Sequence, residues 1–231
     1  MSRLFVYLRE GCHGGRSGRL GCLLAIPIFI ATAIAVYALM VYPWISRWGA
    51  TDLETADRYP GDDLVSEPRF RITRAVTVNA APEQIWPWLL QLGVDRGGMY
   101  SYDWLENLFG LKVHSADRIV AEWQDLQSGG FIRLTPPDYA VQPGPGLHVT
   151  GMDAPRTLVG CFGMEGQPPA SCTSSWQIIL QPASGRSTRL ILRSHTAAPG
   201  ILPAALGKAF QFPVWIMEQG MLRGIKDRAE R

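Results

Sequence analysis

The chain has 231 residues, of which 47% are hydrophobic and 18% are charged, and its formal net charge is +2. This length suits one domain of ordinary size with an appended segment. Residues 1–50 hold five Arg and one Glu, a net charge of +4, whereas residues 51–231 hold 17 Lys and Arg against 19 Asp and Glu, a net charge of −2. Nucleic-acid binding is not expected of this mildly acidic domain, because binding to phosphates needs clustered Lys and Arg.

An apolar run without charged residues extends from Leu20 to Ile45 and predicts a single transmembrane helix. At about 1.5 Å per residue, it exceeds the roughly 30 Å of hydrocarbon in a bilayer. Tyr and Trp residues gather at its C-terminal end, as they do at membrane interfaces. A cleaved signal peptide is the main alternative, but its apolar region would be about 7–15 residues long and would end in small residues.

The charges beside this run predict its orientation. Four Arg lie between residues 3 and 19, whereas residues 47–67 hold two Arg and six acidic residues. The positive-inside rule therefore places a tail of residues 1–19 in the cytoplasm and the domain on the outer side of the cell membrane. Residues 46–68 are polar, acidic and contain Gly and Pro, so they are expected to form a juxtamembrane linker.

The domain is expected to begin at residue 69 with a strand. Apolar residues alternate with polar ones from Phe70 to Val78, which is the pattern of a strand with one buried face. Arg74 breaks the alternation by falling on the apolar side. A β-bulge at Arg74 is the favoured interpretation, and a charge directed into the core is the alternative.

Two helices, a series of strands and a final helix follow. Pro82 and Gly93 suit the start and end of the first helix, and Ser101 suits the N-cap of a short second helix. About six further strands follow, separated by Gly and Pro, the last being SSWQIIL and TRLILRSHT. A helix from about residue 203 to residue 229 is expected to be interrupted at Pro213. This order indicates an α+β fold, with helices on one side of an antiparallel sheet.

The opening of the domain resembles that of a known superfamily. Residues 81–89 (APEQIWPWL) match the pattern AP-x-x-x-W-x-x-L that follows the first strand of START-like, or SRPBCC, proteins. Residues 96–119 resemble a bacterial subgroup described as polyketide cyclase-like or lipid-transport-like. The resemblance covers residues 69–231 and implies a helix-grip fold, in which the sheet wraps around the long C-terminal helix.

The helix-grip fold implies a site for an apolar or amphipathic small molecule, such as a lipid or a polyketide, between that helix and the sheet. Two groups of residues are expected to contribute: an apolar stripe of the last helix facing the strand of Trp176, and aromatic residues beside the Gly97-Gly98 pair, which could act as a gate. The candidate ligand-binding residues are Trp86, Tyr100, Tyr102, Trp104, Trp176, Val214, Met217 and Met221.

Two alternatives to a binding protein remain open. In an enzyme of the cyclase or dehydratase kind, His114 would act as a general base, Asp117 would orient it and Arg118 would stabilise an enolate. In a non-catalytic subunit of a membrane complex, the helix would dock to a membrane-protein partner. The sequence indicates no cofactor and no metal, since no His pair or CxxC has ligand spacing and no phosphate-binding loop is present.

Cys161 and Cys172 are candidates for a disulfide bond. They lie between two segments expected to be neighbouring antiparallel strands, so they could face each other. An exported domain would meet an oxidising compartment, where such a bond persists. Two small buried residues with diverging side chains are the alternative.

Overall fold

The computed structural model describes residues 16–139 and 145–231, with side chains from residue 25 onwards. Residues 1–15 of the expected tail and residues 140–142 of an expected strand (DYAVQ) lie outside the described residues. The chain divides into two compact units, residues 1–44 and 45–231, which are described separately.

The first unit contains the expected apolar helix. Helix α1 (Arg16–Val36) continues through a π-helical turn (Tyr37–Val41) into helix α2 (Tyr42–Ser46), the end of which belongs to the second unit. Within Ala25–Ser46, a window of 18 residues has a mean hydropathy of 2.2. By length and composition, this helix can cross a membrane; its orientation stays a prediction.

The second unit is built on one six-stranded antiparallel sheet with the order β1-β6-β5-β4-β3-β2. The strands are β1 (Phe70–Val78), β2 (Phe131–Arg133), β3 (Pro145–Asp153), β4 (Thr157–Met164), β5 (Ser174–Pro182) and β6 (Thr188–Thr196). The shorter helices are α3 (Asp52–Ala56), α4 (Pro82–Leu90) and α5 (Asp103–Leu108), with a 3₁₀ turn at Ala121–Trp123, and the long helix is α6 (Ile201–Ala229). This antiparallel sheet with a long C-terminal helix is the expected α+β, helix-grip fold.

Helix α6 packs on the apolar face of the sheet, which is the face that the alternation of residues in β5 predicted. Ile178 and Leu180 of β5 lie in one core cluster with Met221 and Ile225 of α6. The close approach of α6 to the segment before α5 depends on Gly224, because a Cβ added there would lie 1.8 Å from the carbonyl oxygen of Tyr100. This contact fixes α6 against the segment that leads into α5.

Two helix boundaries differ from the expected ones. Helix α6 passes through Pro213 without interruption. A proline in a helix removes one N–H donor, and the neighbouring turns of this long helix keep their own bonds. Helix α5 begins after Tyr102 rather than Ser101. The Ser101 hydroxyl instead donates to the Met217 carbonyl of α6, at 3.0 Å.

Residues expected to form a linker pack on the opposite face of the sheet. Glu54 of α3 accepts two bonds from Arg189 of β6, at 2.6 and 2.8 Å. Arg193 donates to the Asp57 carbonyl at 2.8 Å, and Gln177 donates to the Gly61 carbonyl at 2.9 Å. The compact unit therefore starts at Ile45, earlier than the boundary at residue 69 that composition indicated.

The prediction of a β-bulge at Arg74 is wrong. Arg74 stays in regular register opposite Leu192, and its side chain is fully buried. Its guanidinium forms an ion pair with Glu218 of α6 and donates from Nε to the Ile45 carbonyl, at 2.9 Å. An inward charge is tolerated because a buried carboxylate compensates it. Sequence alternation could not reveal that partner, which lies 144 residues further along the chain.

Candidate functional site

A cavity of about 290 Å³ lies between α6, the sheet and the segment around α5. Its lining is mainly apolar and includes Trp176 of β5 and Leu134, which follows β2. The lining residues are Val94, Met99, Ser101, Glu106, Leu111, Val113, Leu134, Trp176, Phe210, Pro213, Val214, Met217, Glu218 and Met221. This composition suits a mainly apolar ligand.

The volume of the cavity indicates how large an apolar body it can enclose. An engineered cavity of about 150 Å³ in another protein holds benzene. A cavity of about 290 Å³ is therefore large enough for a molecule of roughly two fused rings. Phe210 lines the cavity and is 67% exposed, so the cavity reaches the surface beside α6.

Three polar side chains line the cavity, and two of them have partners. The Ser101 hydroxyl donates to the backbone of α6, and Glu218 is neutralised by Arg74. Glu106 of α5 is different: it is only 3% exposed, and its Oε2 has no hydrogen-bond partner among the described residues. The cavity thus contains one carboxyl group with an unused acceptor or donor.

Burial, assisted by the negative charge of Asp103, raises the pKa of Glu106 from 4.5 to about 7. Asp103 is already occupied, since its carboxylate accepts from the backbone N and the Oγ of Ser115, at 2.7 and 2.6 Å. The Nδ1 of His114, on an exposed side chain, lies 3.9 Å from Asp103. Near neutral pH, Glu106 can therefore gain or lose a proton, and its ionised form can pair with a cation.

Four of the eight ligand-binding candidates line the cavity: Trp176, Val214, Met217 and Met221. The stripe on the last helix and the strand of Trp176 thus come together as expected. Sequence reasoning missed Glu106 and the apolar residues between positions 94 and 134. The sequence of α5 gave no signal for Glu106, because its apolar Trp104 and Leu108 are 70% and 73% exposed whereas Glu106 is buried. The apolar side chains thus face solvent, and the carboxyl group of Glu106 is buried.

The other four candidates lie elsewhere. Trp86 and Tyr100 belong to the packed core, where they are 7% and 1% exposed. The Tyr102 hydroxyl bonds the side chain of Gln219, at 3.0 Å. Trp104 is on the surface. Aromatic character alone could not separate these positions, because packing decides which aromatic residue meets the cavity.

The Gly97-Gly98 pair is held tightly. Gly97 donates to the Gln91 carbonyl at 2.8 Å, and Gly98 has φ of 76° and donates to the Gly93 carbonyl at 2.9 Å. A Cβ at Gly98 would lie 2.8 Å from the Cα of Ser115. Close packing and a positive φ therefore account for these glycines.

The three catalytic candidates lie on the outside of the segment after α5. His114, Asp117 and Arg118 are exposed and border a surface depression that also includes Trp123. None of the three lines the apolar cavity, although Val113 does. The described arrangement thus brings no His–Asp pair towards the cavity.

Cys161 of β4 and Cys172 are joined by a disulfide bond, with their Cα atoms 5.7 Å apart. The bond closes the loop between β4 and β5. Because neither cysteine lines the apolar cavity, its role here is to fix that loop.

No family model matches this chain, and no curated protein matches it. Several solved structures are similar at low identity. CalC, a self-sacrificing resistance protein from Micromonospora echinospora, is 16% identical, with 69% of this chain and 94% of CalC covered and a TM-score of 0.43. Ms6760 from Mycobacterium smegmatis is 18% identical, with 75% and 92% covered and a TM-score of 0.36. The strand order and the long helix α6 of this chain define its helix-grip fold.

Proposed function

We propose that this chain is a membrane-anchored START-like protein that holds an apolar or amphipathic small molecule in its internal cavity. The cavity of about 290 Å³ under α6 carries this proposal. This space is mainly apolar and opens to the surface beside Phe210, as a binding site for a small molecule must. Its apolar lining favours a ligand of lipid or polyketide character.

Membrane anchoring is supported by the apolar helix Ala25–Ser46. Its last residues belong to the same unit as the cavity, and the Ile45 carbonyl is bound by Arg74. Arg74 also forms the ion pair with Glu218, which lines the cavity. The end of the anchor is thus connected through two side chains to the cavity wall.

The surface beside the cavity is unusually apolar. The first half of α6 exposes Ile201, Leu202, Leu206 and Phe210, by 89, 68, 62 and 67%. Exposed apolar patches of this kind favour contact with a membrane or another apolar surface. In this proposal, an apolar ligand enters the cavity from the membrane past Phe210.

Binding of 1-methylnaphthalene to the full chain in lipid nanodiscs tests the proposal. The decisive variant is Met217→Trp, because Met217 lines the cavity and is only partly buried, so added bulk fills open space. Calorimetry, with empty nanodiscs as the reference, should show saturable binding by the parent. The affinity of the variant should be at least about tenfold weaker.

The matched control is Met164→Trp, at a position that is 38% exposed and outside the cavity. This variant should bind as the parent does. Absence of saturable binding by the parent would overturn the proposal, as would unchanged binding by the Met217 variant. A melting temperature close to the parent's shows that the Met217 variant is folded.

The cyclase or dehydratase alternative is not favoured by this site. Its residues His114, Asp117 and Arg118 lie on an exposed surface away from the apolar cavity. A general base acts only within hydrogen-bond reach of the bound substrate. The binding role is therefore the function that the geometry supports best.

A further inference from the structure

We infer that the cavity selects ligands with a basic amine attached to an apolar body of about two rings, and that Glu106 binds the ammonium group. This inference rests on the proposed function and names the chemical class of its ligand.

The first argument is the unused hydrogen-bonding capacity of Glu106. Glu106 lines the cavity, and its Oε2 is buried and has no hydrogen-bond partner among the described residues. A buried polar atom without a partner costs free energy that a bound donor would recover. An ammonium group supplies such a donor together with a positive charge.

The second argument is the balance of charge around the cavity. Glu218 is paired with Arg74, so these two side chains are together neutral. Glu106 and Asp103 remain as two acidic groups on α5, and the exposed His114 imidazole lies 3.9 Å from Asp103. A cationic ligand would lower the repulsion between the two carboxylates, whereas an anionic ligand would increase it.

The third argument is the ionisation of Glu106 itself. Burial raises its pKa to about 7, so a substantial fraction carries a negative charge at neutral pH. An adjacent ammonium stabilises the carboxylate form and draws this pKa back down. The charge needed to hold the amine is therefore available under ordinary conditions.

Four naphthalene compounds of nearly equal size separate these contributions: 1-naphthylmethylamine, 1-naphthalenemethanol, 1-methylnaphthalene and 1-naphthoic acid. Dissociation constants would be measured at pH 7.5 for the full chain in lipid nanodiscs. The parent should bind the amine at least about tenfold more tightly than 1-methylnaphthalene, since a charged hydrogen bond is worth that factor or more. The acid should bind most weakly.

The substitution Glu106→Gln keeps the shape of the side chain and removes its charge. This variant should lose the preference for the amine and keep its affinity for 1-methylnaphthalene. Glu122→Gln, which changes an exposed acid outside the cavity, should behave as the parent does.

The possible results separate the inference from the proposed function. Equal binding of the amine and 1-methylnaphthalene by the parent would overturn the role of Glu106 and leave the cavity's function standing. An amine preference that survives Glu106→Gln would do the same. Failure of all four compounds to bind the parent would overturn both.

Discussion

The buried ion pair between Arg74 and Glu218 gives a sharp prediction about stability. Arg74 is fully buried and Glu218 is 4% exposed, so each charge depends on the other for compensation. Replacing Arg74 by Met leaves a buried carboxylate unpaired and also removes the donor to the Ile45 carbonyl. Breaking such a pair from one side costs about 3–5 kcal/mol.

For a protein of 150–250 residues, 1 kcal/mol corresponds to about 2–4 °C in melting temperature. Arg74→Met and Glu218→Met should therefore each lower the melting temperature of the nanodisc-embedded protein by about 6–20 °C. The double variant should melt above either single one, because it leaves no uncompensated charge and fills the space with apolar atoms. Tryptophan fluorescence during heating measures all three.

Arg71→Met provides the matched control, since Arg71 is exposed on the same strand and should change the melting temperature by less than about 2 °C. A double variant that loses the full sum of the two single effects would refute the argument from charge compensation. Single variants as stable as the control would refute it as well.

Three further predictions concern other parts of the chain. The pKa of Glu106 is about 7 in the folded protein against an ordinary value of 4.5, so its burial should destabilise the protein as pH rises through this interval. The melting temperature of Glu106→Gln should exceed the parent's by about 6–12 °C at pH 8 and match it near pH 4.5. A difference that is independent of pH would contradict this prediction. Glu54→Ala should release the segment before β1, so that trypsin cleaves after the exposed Arg58 faster than in the parent; equal cleavage would show that Arg189 does not hold the segment. A cysteine at the exposed Ser184 should react with a membrane-impermeant maleimide in intact cells, and protection would reverse the expected orientation.

Local patterns in the sequence were sufficient to predict the architecture. The alternation around Ile178 and the apolar stripe on α6 identified the two surfaces that form the core, because burial on one face leaves a regular period. The resemblance to helix-grip proteins implied a site between these two surfaces, where Trp176 and Met217 line the cavity. The order of the elements then favoured one sheet against one long helix.

The parts that the sequence did not predict depend on partners distant along the chain. Arg74 is explained by Glu218, and the packing of Glu54 by Arg189, 135 residues away. Glu106 belongs to a short helix that exposes the apolar Trp104 and Leu108, so local polarity suggested the wrong face. Such positions are resolved only when the tertiary contacts are known.

The proposed function requires that the space under α6 admit an apolar ligand. The most direct test is a crystal structure of the full chain soaked with 1-bromonaphthalene, with data collected at the bromine absorption edge. We expect an anomalous bromine peak between Trp176 of β5 and Met217 of α6, inside the cavity. A cavity without bromine, in crystals that hold the compound at other sites, would contradict it.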